Sequence, residues 1–550
     1  MNDSAPGHGP GGESRLREVV RAWPWGAAIF SGILLALAYP PVARGGLAWI
    51  ALAPLVAAIW FSQPWPRREP WRLFLLGYIT GLGYFVGSLH WIWTVTVPGW
   101  LILSAVLAIY PALWSLFLGL VARPGSAEDA PQVCWANSWR NLRAAVLAAA
   151  AWTALEWLRG VLFTGFGWNA LGVALVDNLP MIQFADHTGV AGISFLLVMV
   201  NVIAPLTVFR LTHEVAQRKM RAHFDFSATV VLVAAAFGYG ARILLAPPAP
   251  AQEVTFGAVQ SNIPFLDKRD PAREQDILDT YTRLSESVLA FHPDLLLWPE
   301  SATPQPALLD ENSWRTVSGI AARHTGDFLL GTVHFSEQGD FNSAALLTHR
   351  GKDVALYHKI HLVPFGEYIP LRHSFPFFAW VVGDLVPEDF NFGGSPVVFE
   401  MTAKPVRLGP LICFEDTLGD LVRQFVLRGA RLLVTVTNDG WFLRSAGSEQ
   451  HRANAILRTI ENRVPLIRAA NTGVTCAIDP LGRETQRLRE ANGNTFFEGF
   501  LIGKVNVPTT LKPTFYTQHG DAFAKLCLLI TTLSLLPKIH RSLHQKKPPL

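Results

Sequence analysis

The chain has 550 residues, of which half are hydrophobic and only 16% are charged, against roughly a quarter charged in an ordinary soluble domain. This length and composition exclude a single soluble domain and point to the membrane, although residues 250–510 are as polar as a soluble domain. The formal net charge of +4 is small for this length, and no arginine-rich stripe with interleaved aromatics occurs, so nucleic acid is not an expected partner.

The N-terminus, MNDSAPGHGPGGES, is polar and rich in Gly and Pro. It lacks the basic start, apolar core and small-residue cleavage site of a signal peptide, so residues 1–22 are expected to form a disordered cytoplasmic tail. Apolar stretches follow near 25–40, 45–62, 73–93, 98–121, 142–163, 190–209 and 227–246, with one more near 521–537. A spanning helix takes about 20 mostly apolar residues. The expectation is a transmembrane domain of about seven helices over 23–246, a final span over 518–538, and a basic cytoplasmic tail over 539–550. Alternate loops carry Lys and Arg (SQPWPRREPWR, RLTHEVAQRKMRAH), whereas TVTVPGW and TGFGWNALG carry none, and Arg44 is the exception. This positive-inside asymmetry predicts that both termini are cytoplasmic and that residues 247–520 lie on the opposite side. Within the fifth span, Glu156 and Arg159 sit at i,i+3 and can pair. They read either as a structural pair near the interface or as the lining of a polar headgroup site.

From about 253 the pattern changes. VTFGAVQSN, PDLLLWPES, DFLLGTVHF, FNSAALLT, VALYHK, RLGPLICFED, RLLVTVTND and PLIRAANTGVTCAID read as strands, and PAREQDILDTYTRLSESVLAF, DLVRQFVLRGA and QHRANAILRTIENRV as helices. Apolar strands alternating with helices indicate an α/β domain over 250–510 whose sheets are covered by helices. Such folds gather chemistry where strands end. Glu300 and Cys413 each close an apolar strand, and Lys359 follows another. A carboxylate can take the thiol proton and return it to a leaving group. An ammonium can stabilise thiolate and oxyanion. Glu, Lys and Cys therefore suffice for acyl transfer through a thioester, with no cofactor and no metal. By spacing alone the signal is weak, since a lone buried Cys is more often a packing thiol than a catalytic one.

The local words are more specific. LLLWPES, YHKIHLVPFGEYIP and LICFED, in this order, resemble the three active-site segments of the nitrilase superfamily. Seven apolar spans, this domain and one closing span resemble the apolipoprotein N-acyltransferase family over roughly 20–540, as do LEWLRG, GFGWN, VTNDGWF, QH at 450–451, RAANTGVT and TFYTQHGD. The resemblance implies an α-β-β-α sandwich and a catalytic triad of Glu300 as base, Lys359 as oxyanion stabiliser and Cys413 as nucleophile. It further implies transfer of the sn-1 acyl chain of a membrane phospholipid, typically phosphatidylethanolamine, to the α-amino group of the N-terminal diacylglyceryl-cysteine of apolipoproteins. The location it implies is the bacterial inner membrane, with the catalytic domain on the periplasmic side.

Four further residues match supporting positions. Glu367 is placed to orient Lys359. Glu415 either holds the cysteine loop or has a capping or surface role. Asn438 and Trp441 shape the site, plain packing being the rival reading for Trp441. Two departures stand out: Phe414 replaces the family's common Tyr, and Arg269 stands where relatives often have Trp. Cys476 lies in a strand of the same domain with no acid and lysine partners apparent locally, Cys527 falls inside the last span and Cys134 in a cytoplasmic loop, and Cys413 is expected to be a free thiol. His358 and His361 make only a loose metal-like pair. The alternative activity is that of a membrane-tethered amidase or nitrilase acting on a soluble C–N substrate, for which one anchor would suffice.

Overall fold

The computed structural model describes residues 11–62, 70–124, 137–218, 220–264, 267–372, 374 and 388–544. Every stretch expected to span falls on a helix. Among the described residues three helical segments, Val97–Leu120, Val190–Ala216 and Phe224–Leu245, are long and apolar enough to cross a membrane, and Ala22–Leu37, Gly45–Phe61 and Ala522–Pro537 are shorter apolar ones. Pro70–Ser88 and Ser138–Val161 complete the bundle; they carry charges such as Arg72, Arg143 and Glu156 within otherwise apolar runs. The first helix runs Gly11–Leu37, so it takes in residues 11–22 that the sequence reading assigns to a tail; residues 1–10 lie outside the described residues, as do 545–550 of the expected basic tail.

Small residues let the helices approach closely, as expected where apolar burial cannot drive their association. A Cβ on Gly77 would lie 2.4 Å from the Pro111 carbonyl oxygen, and one on Gly81 2.7 Å from Ala108 Cα. Side chains then bond across helices: the Thr80 hydroxyl donates to the Ala28 carbonyl (2.8 Å), and the Trp114 indole to that of Ala148 (2.8 Å).

The polar region forms two six-stranded sheets. One has the order β12-β1-β2-β3-β4-β5, from β1 (Ala251–Gln260), β2 (Leu295–Leu297), β3 (Asp327–Ser336), β4 (Gly339–Thr348), β5 (Asp353–His358) and β12 (Gly499–Pro508). The other has the order β11-β10-β9-β8-β7-β6, from β6 (Phe399–Glu400), β7 (Arg407–Ile412), β8 (Leu432–Thr437), β9 (Leu466–Ala470), β10 (Cys476–Ile478) and β11 (Glu484–Arg487). The central pairs β1–β2–β3 and β7–β8–β9 are parallel and the flanking pairs antiparallel. The sheets face one another, β1 against β9, β3 against β8 and β4 against β7. Helices Glu274–Leu289 and Glu311–Arg323 cover the first sheet, and Gly419–Leu427 and Gly447–Asn462 the second. This is the expected α-β-β-α sandwich. One strand reading is corrected: PLIRAANTGVTCAID is a hairpin of β9 and β10, because the backbone turns through Gly473 at φ 92°.

Candidate active site

The three candidate catalytic residues converge between the sheets. Glu300 and Lys359 are buried and Cys413 is half-buried. Lys359 Nζ lies 3.5 Å from Glu300 Oε1 and 2.8 Å from Glu367 Oε2. Asn342 joins the two carboxylates, its Nδ2 donating to Glu300 Oε1 at 2.8 Å and to Glu367 Oε1 at 2.6 Å. The second oxygen of Glu300 accepts the backbone N–H of Asn438 at 3.0 Å, and that of Glu367 accepts the N–H of Val363 at 2.7 Å. Burial works against the Lys359 ammonium, but Glu367, Glu300 and Cys413 hold its pKa above the ordinary value, so it is charged at neutral pH.

Cys413 follows β7 directly with φ 51°, in the left-handed region that a non-glycine residue enters at a cost of roughly 1–3 kcal/mol. Burial raises its thiol pKa well above the usual range and the Glu300 charge raises it further, whereas Lys359 and the Thr437 hydroxyl pull it down. The resting thiol is therefore protonated and needs a base.

Glu415 stabilises the backbone turn that carries Cys413. Fully buried, it accepts from Ile412 N–H on one oxygen (2.9 Å) and from Ile360 N–H (2.8 Å), His361 N–H (3.2 Å) and the Tyr357 hydroxyl (2.8 Å) on the other. One carboxylate thus ties the segment after Lys359 to the segment before Cys413. Burial pushes its pKa up to about 7, against these donors and Lys359.

Sequence reasoning missed the layer behind the nucleophile. His451, Asp416, Asp439 and Arg468 are all buried. His451 Nε2 lies 2.8 Å from Asp416 Oδ1 and 3.3 Å from the Cys413 carbonyl oxygen, and its Nδ1 lies 3.0 Å from Asp439 Oδ1. Arg468 pairs with Asp416 and, at 3.3 Å, with Asp439. Two cations and two carboxylates make a neutral cluster, the arrangement under which buried charges are tolerated. Burial opposes the imidazolium, but Asp416 and Asp439 raise the His451 pKa to about 9. Lys268 was also missed: its Nζ donates to the Ser301 carbonyl at 2.8 Å beside Glu300, and burial lowers its pKa to about 8. Asp416, Asp439, His451 and Arg468 do stand in the matching words LICFED, VTNDGWF, QH and RAANTGVT, but those words carried no role for them.

Of the other expected residues, Asn438 accepts from Asn471 Nδ2 at 2.9 Å through its side chain, and the Trp441 carbonyl accepts the Thr94 hydroxyl at 3.4 Å. Phe414 stacks on Trp168 (6.0 Å, 7°) and on His361 (5.7 Å, 23°), so the ring packs between the bundle and the segment after Lys359. Arg269 lies in a short turn, Asp267–Arg269, and its side chain is outside the described residues. Cys413, Cys476 and Cys527 are free thiols, and Cys134 lies outside the described residues. His358 bonds Ser343 Oγ at 2.8 Å whereas His361 stacks on Phe414; among the described residues no group of three or more His, Cys, Asp or Glu could hold a metal.

The helical bundle reaches this site. Gln450 Oε1 accepts from Trp91 Nε1 (3.0 Å), Trp168 Nε1 (2.9 Å) and Asn169 Nδ2 (2.9 Å), and its Nε2 donates to the Pro40 and Ser88 carbonyls at 2.8 Å each. The expected Glu156–Arg159 pair does not form. Glu156 accepts from Trp152 Nε1 (3.0 Å), Leu171 N–H (2.9 Å) and the Ser194 hydroxyl (2.6 Å), whereas Arg159 donates to the Trp168 carbonyl at 2.8 Å over the Phe85 ring. Each ion finds better-placed neutral dipoles than its helical neighbour.

An acid, an ammonium and a thiol at the strand ends of a four-layer sandwich define a carbon–nitrogen hydrolase-type domain, here built onto a bundle of apolar helices. Comparison with known proteins agrees: the profile for the apolipoprotein N-acyltransferase N-terminal domain matches residues 31–203, and that for carbon-nitrogen hydrolases matches residues 256–507. The apolipoprotein N-acyltransferase of Geobacter metallireducens is 35% identical, covering 91% of this chain and 92% of its own. Those of Rhodopseudomonas palustris and Bradyrhizobium diazoefficiens are each 30% identical, covering 94% and 97% of this chain and 97% and 99% of their own. The chain belongs to the apolipoprotein N-acyltransferase family.

Proposed function

We propose that the chain carries out the last acylation of lipoprotein maturation, moving the sn-1 acyl chain of a membrane phospholipid, with phosphatidylethanolamine as donor, onto the α-amino group of a diacylglyceryl-cysteine. The observation that carries this reading is the convergence of Glu300, Lys359 and Cys413 in a domain hydrogen-bonded to helices of the bundle. Glu300 takes the Cys413 proton as the sulfur attacks the ester carbonyl, and the Lys359 ammonium faces the oxyanion. The proton passes to the departing lysophospholipid, leaving a thioester. The lipoprotein amine then attacks, Glu300 accepts its proton, and the Cys413 thiolate leaves and is reprotonated. Glu367 and Asn342 position Lys359 and Glu300, Glu415 and Asn438 position the turn and the base, and Trp441 closes the side next to the bundle. In this reading the catalytic domain lies on the periplasmic side of the inner membrane and both termini are cytoplasmic; the arginine and lysine distribution supports that orientation.

The test is intact mass spectrometry of purified protein incubated with phosphatidylethanolamine alone, wild type against Cys413→Ala. The expected result is a gain of one acyl chain on wild type only, labile to hydroxylamine and discharged by a diacylglyceryl-peptide. No adduct, with turnover of soluble amides instead, would move the reading to a tethered amidase.

A further inference from the structure

The turn that presents Glu300 is held in an uncommon shape. β2 ends at Leu297, and Ser301, directly after Glu300, has φ 46°, in the left-handed region that non-glycine residues enter rarely. β3 packs close against this turn: a Cβ on Gly331 would lie 2.5 Å from Glu300 Cα. Past the strand end, the carbonyls of Glu300 and Ser301 need donors from elsewhere. Among the described residues each has the same one, Lys268 Nζ, at 3.4 and 2.8 Å.

Lys268 reaches them from the short turn Asp267–Arg269, between β1 and helix Glu274–Leu289. It is half-buried, and among the described residues it forms no ion pair. An ammonium withdrawn from water onto two neutral carbonyls is costly unless a negative charge lies close, and the charge beside it is that of Glu300. The balance of charge at the site gives this placement a purpose. Glu300 and Glu367, joined by Asn342, share Lys359 as their cation. Two buried carboxylates against one ammonium leave a negative excess, and a like charge nearby favours protonation of a carboxylate. Lys268 supplies the second positive charge. The other titratable neighbours are already matched. Glu415 has its four donors, Asp416, Asp439, His451 and Arg468 form the neutral cluster, and Asp267 faces Arg273 at 3.9 Å.

We propose that Lys268 is a positioning residue for the base: it fixes the Glu300–Ser301 turn through two carbonyls and favours the ionised Glu300 carboxylate that accepts the Cys413 proton. This rests on the reading of Glu300 as base and Cys413 as nucleophile, and not on which acyl donor serves them. The charge is present where it is needed. Burial lowers the Lys268 pKa to about 8, so the ammonium persists at pH 6 and is lost above pH 8, where a carboxylate needs no help to ionise.

The experiment follows acetylation of Cys413 by p-nitrophenyl acetate, read by intact mass against time between pH 5 and pH 9, in the full chain and in Lys268→Met, Lys268→Gln and Lys268→Arg. In Lys268→Met the acid limb of the rate profile should move up by about one pH unit, a loss of roughly tenfold at pH 6 that shrinks as the pH passes 8. Lys268→Gln keeps N–H donors for the carbonyls without the charge, so it should show the same displaced limb with a smaller loss at high pH. Lys268→Arg should return the limb to its wild-type position. A loss equal at every pH overturns the proposal, as does a wild-type limb in Lys268→Gln, which decides alone if Lys268→Met does not fold. Phosphatidylethanolamine in place of the activated ester reads the transfer reaction separately. A displaced limb with the ester but no phospholipid adduct on wild type keeps this proposal and removes the proposed function; an undisplaced limb with a normal adduct does the reverse.

Discussion

At the Cys413 thiol two opposing influences meet. Burial and the Glu300 carboxylate favour the protonated form, and the Lys359 ammonium and Thr437 hydroxyl favour the thiolate. Alkylation by iodoacetamide should therefore show its pH midpoint above the ordinary cysteine range. Lys359→Met should move that midpoint higher and slow alkylation at pH 8 by roughly tenfold or more, one pKa unit being a factor of ten. A faster rate in the variant would show that Lys359 does not act on the sulfur. His451 gives a second prediction with a definite sign. Its pKa is raised from 6.5 to about 9 in the fold, so its contribution to stability is fully present below pH 6.5 and fades as pH rises through about 9. The gap in Tm between wild type and His451→Gln should accordingly be widest near pH 6 and narrow by pH 9; a gap independent of pH would mean that the imidazole is neutral in the fold.

Helix Gly447–Asn462 carries consecutive residues with opposite duties. His451 faces the Cys413 carbonyl, and Gln450 faces the bundle. Gln450→Leu keeps the volume but leaves two indole N–H groups, one amide and two carbonyls without their partner, each costing about 1–3 kcal/mol if buried unsatisfied. The expected outcome is a clear loss of Tm together with slower acyl-enzyme formation, because Trp168 is no longer held against Phe414. Phe414→Tyr keeps both ring stacks and should be tolerated, whereas Phe414→Ala should cost about 3–5 kcal/mol. Wild-type Tm and acylation in Gln450→Leu would remove the coupling role. At this scale the sequence was legible where the pattern was local. The apolar runs found the helices and the strands bearing Glu300, Lys359 and Cys413. The β9–β10 hairpin was missed, although Asn471-Thr472-Gly473 is a polar turn between its two short apolar strands, because two such strands in succession read as one.

The whole molecule is a sandwich standing on one end of a helical bundle, with the Cys413 thiol and a polar cavity near the junction. The orientation proposed for it predicts opposite labelling at its two ends. A cysteine introduced by Glu337→Cys, at an exposed turn of the catalytic domain, should react in intact cells with a membrane-impermeant maleimide once outer-layer access is given. One introduced by Gln217→Cys, exposed at the far end of helix Val190–Ala216, should react only after lysis. The reverse pattern would invert the topology and remove the periplasmic reading.

The sequence by itself determined a run of apolar helices joined to an α/β domain and the strand-end placement of Glu300, Lys359 and Cys413, because apolar periodicity and strand-end position are properties of neighbouring residues; the sandwich and the triad roles came from the family resemblance. The family resemblance further assigned Glu367 and Glu415, and the structure gives each a physical task. Only the tertiary structure decided which partners the charged groups take. Glu156 and Arg159 are three residues apart yet bind different neighbours. Asp416, Asp439, His451 and Arg468 are spread over four elements yet form one neutral cluster behind Cys413. A buried charge is stabilised by whatever the fold brings within a few ångströms, and that distance is set by how sheets and helices stack, which no local pattern in the chain records.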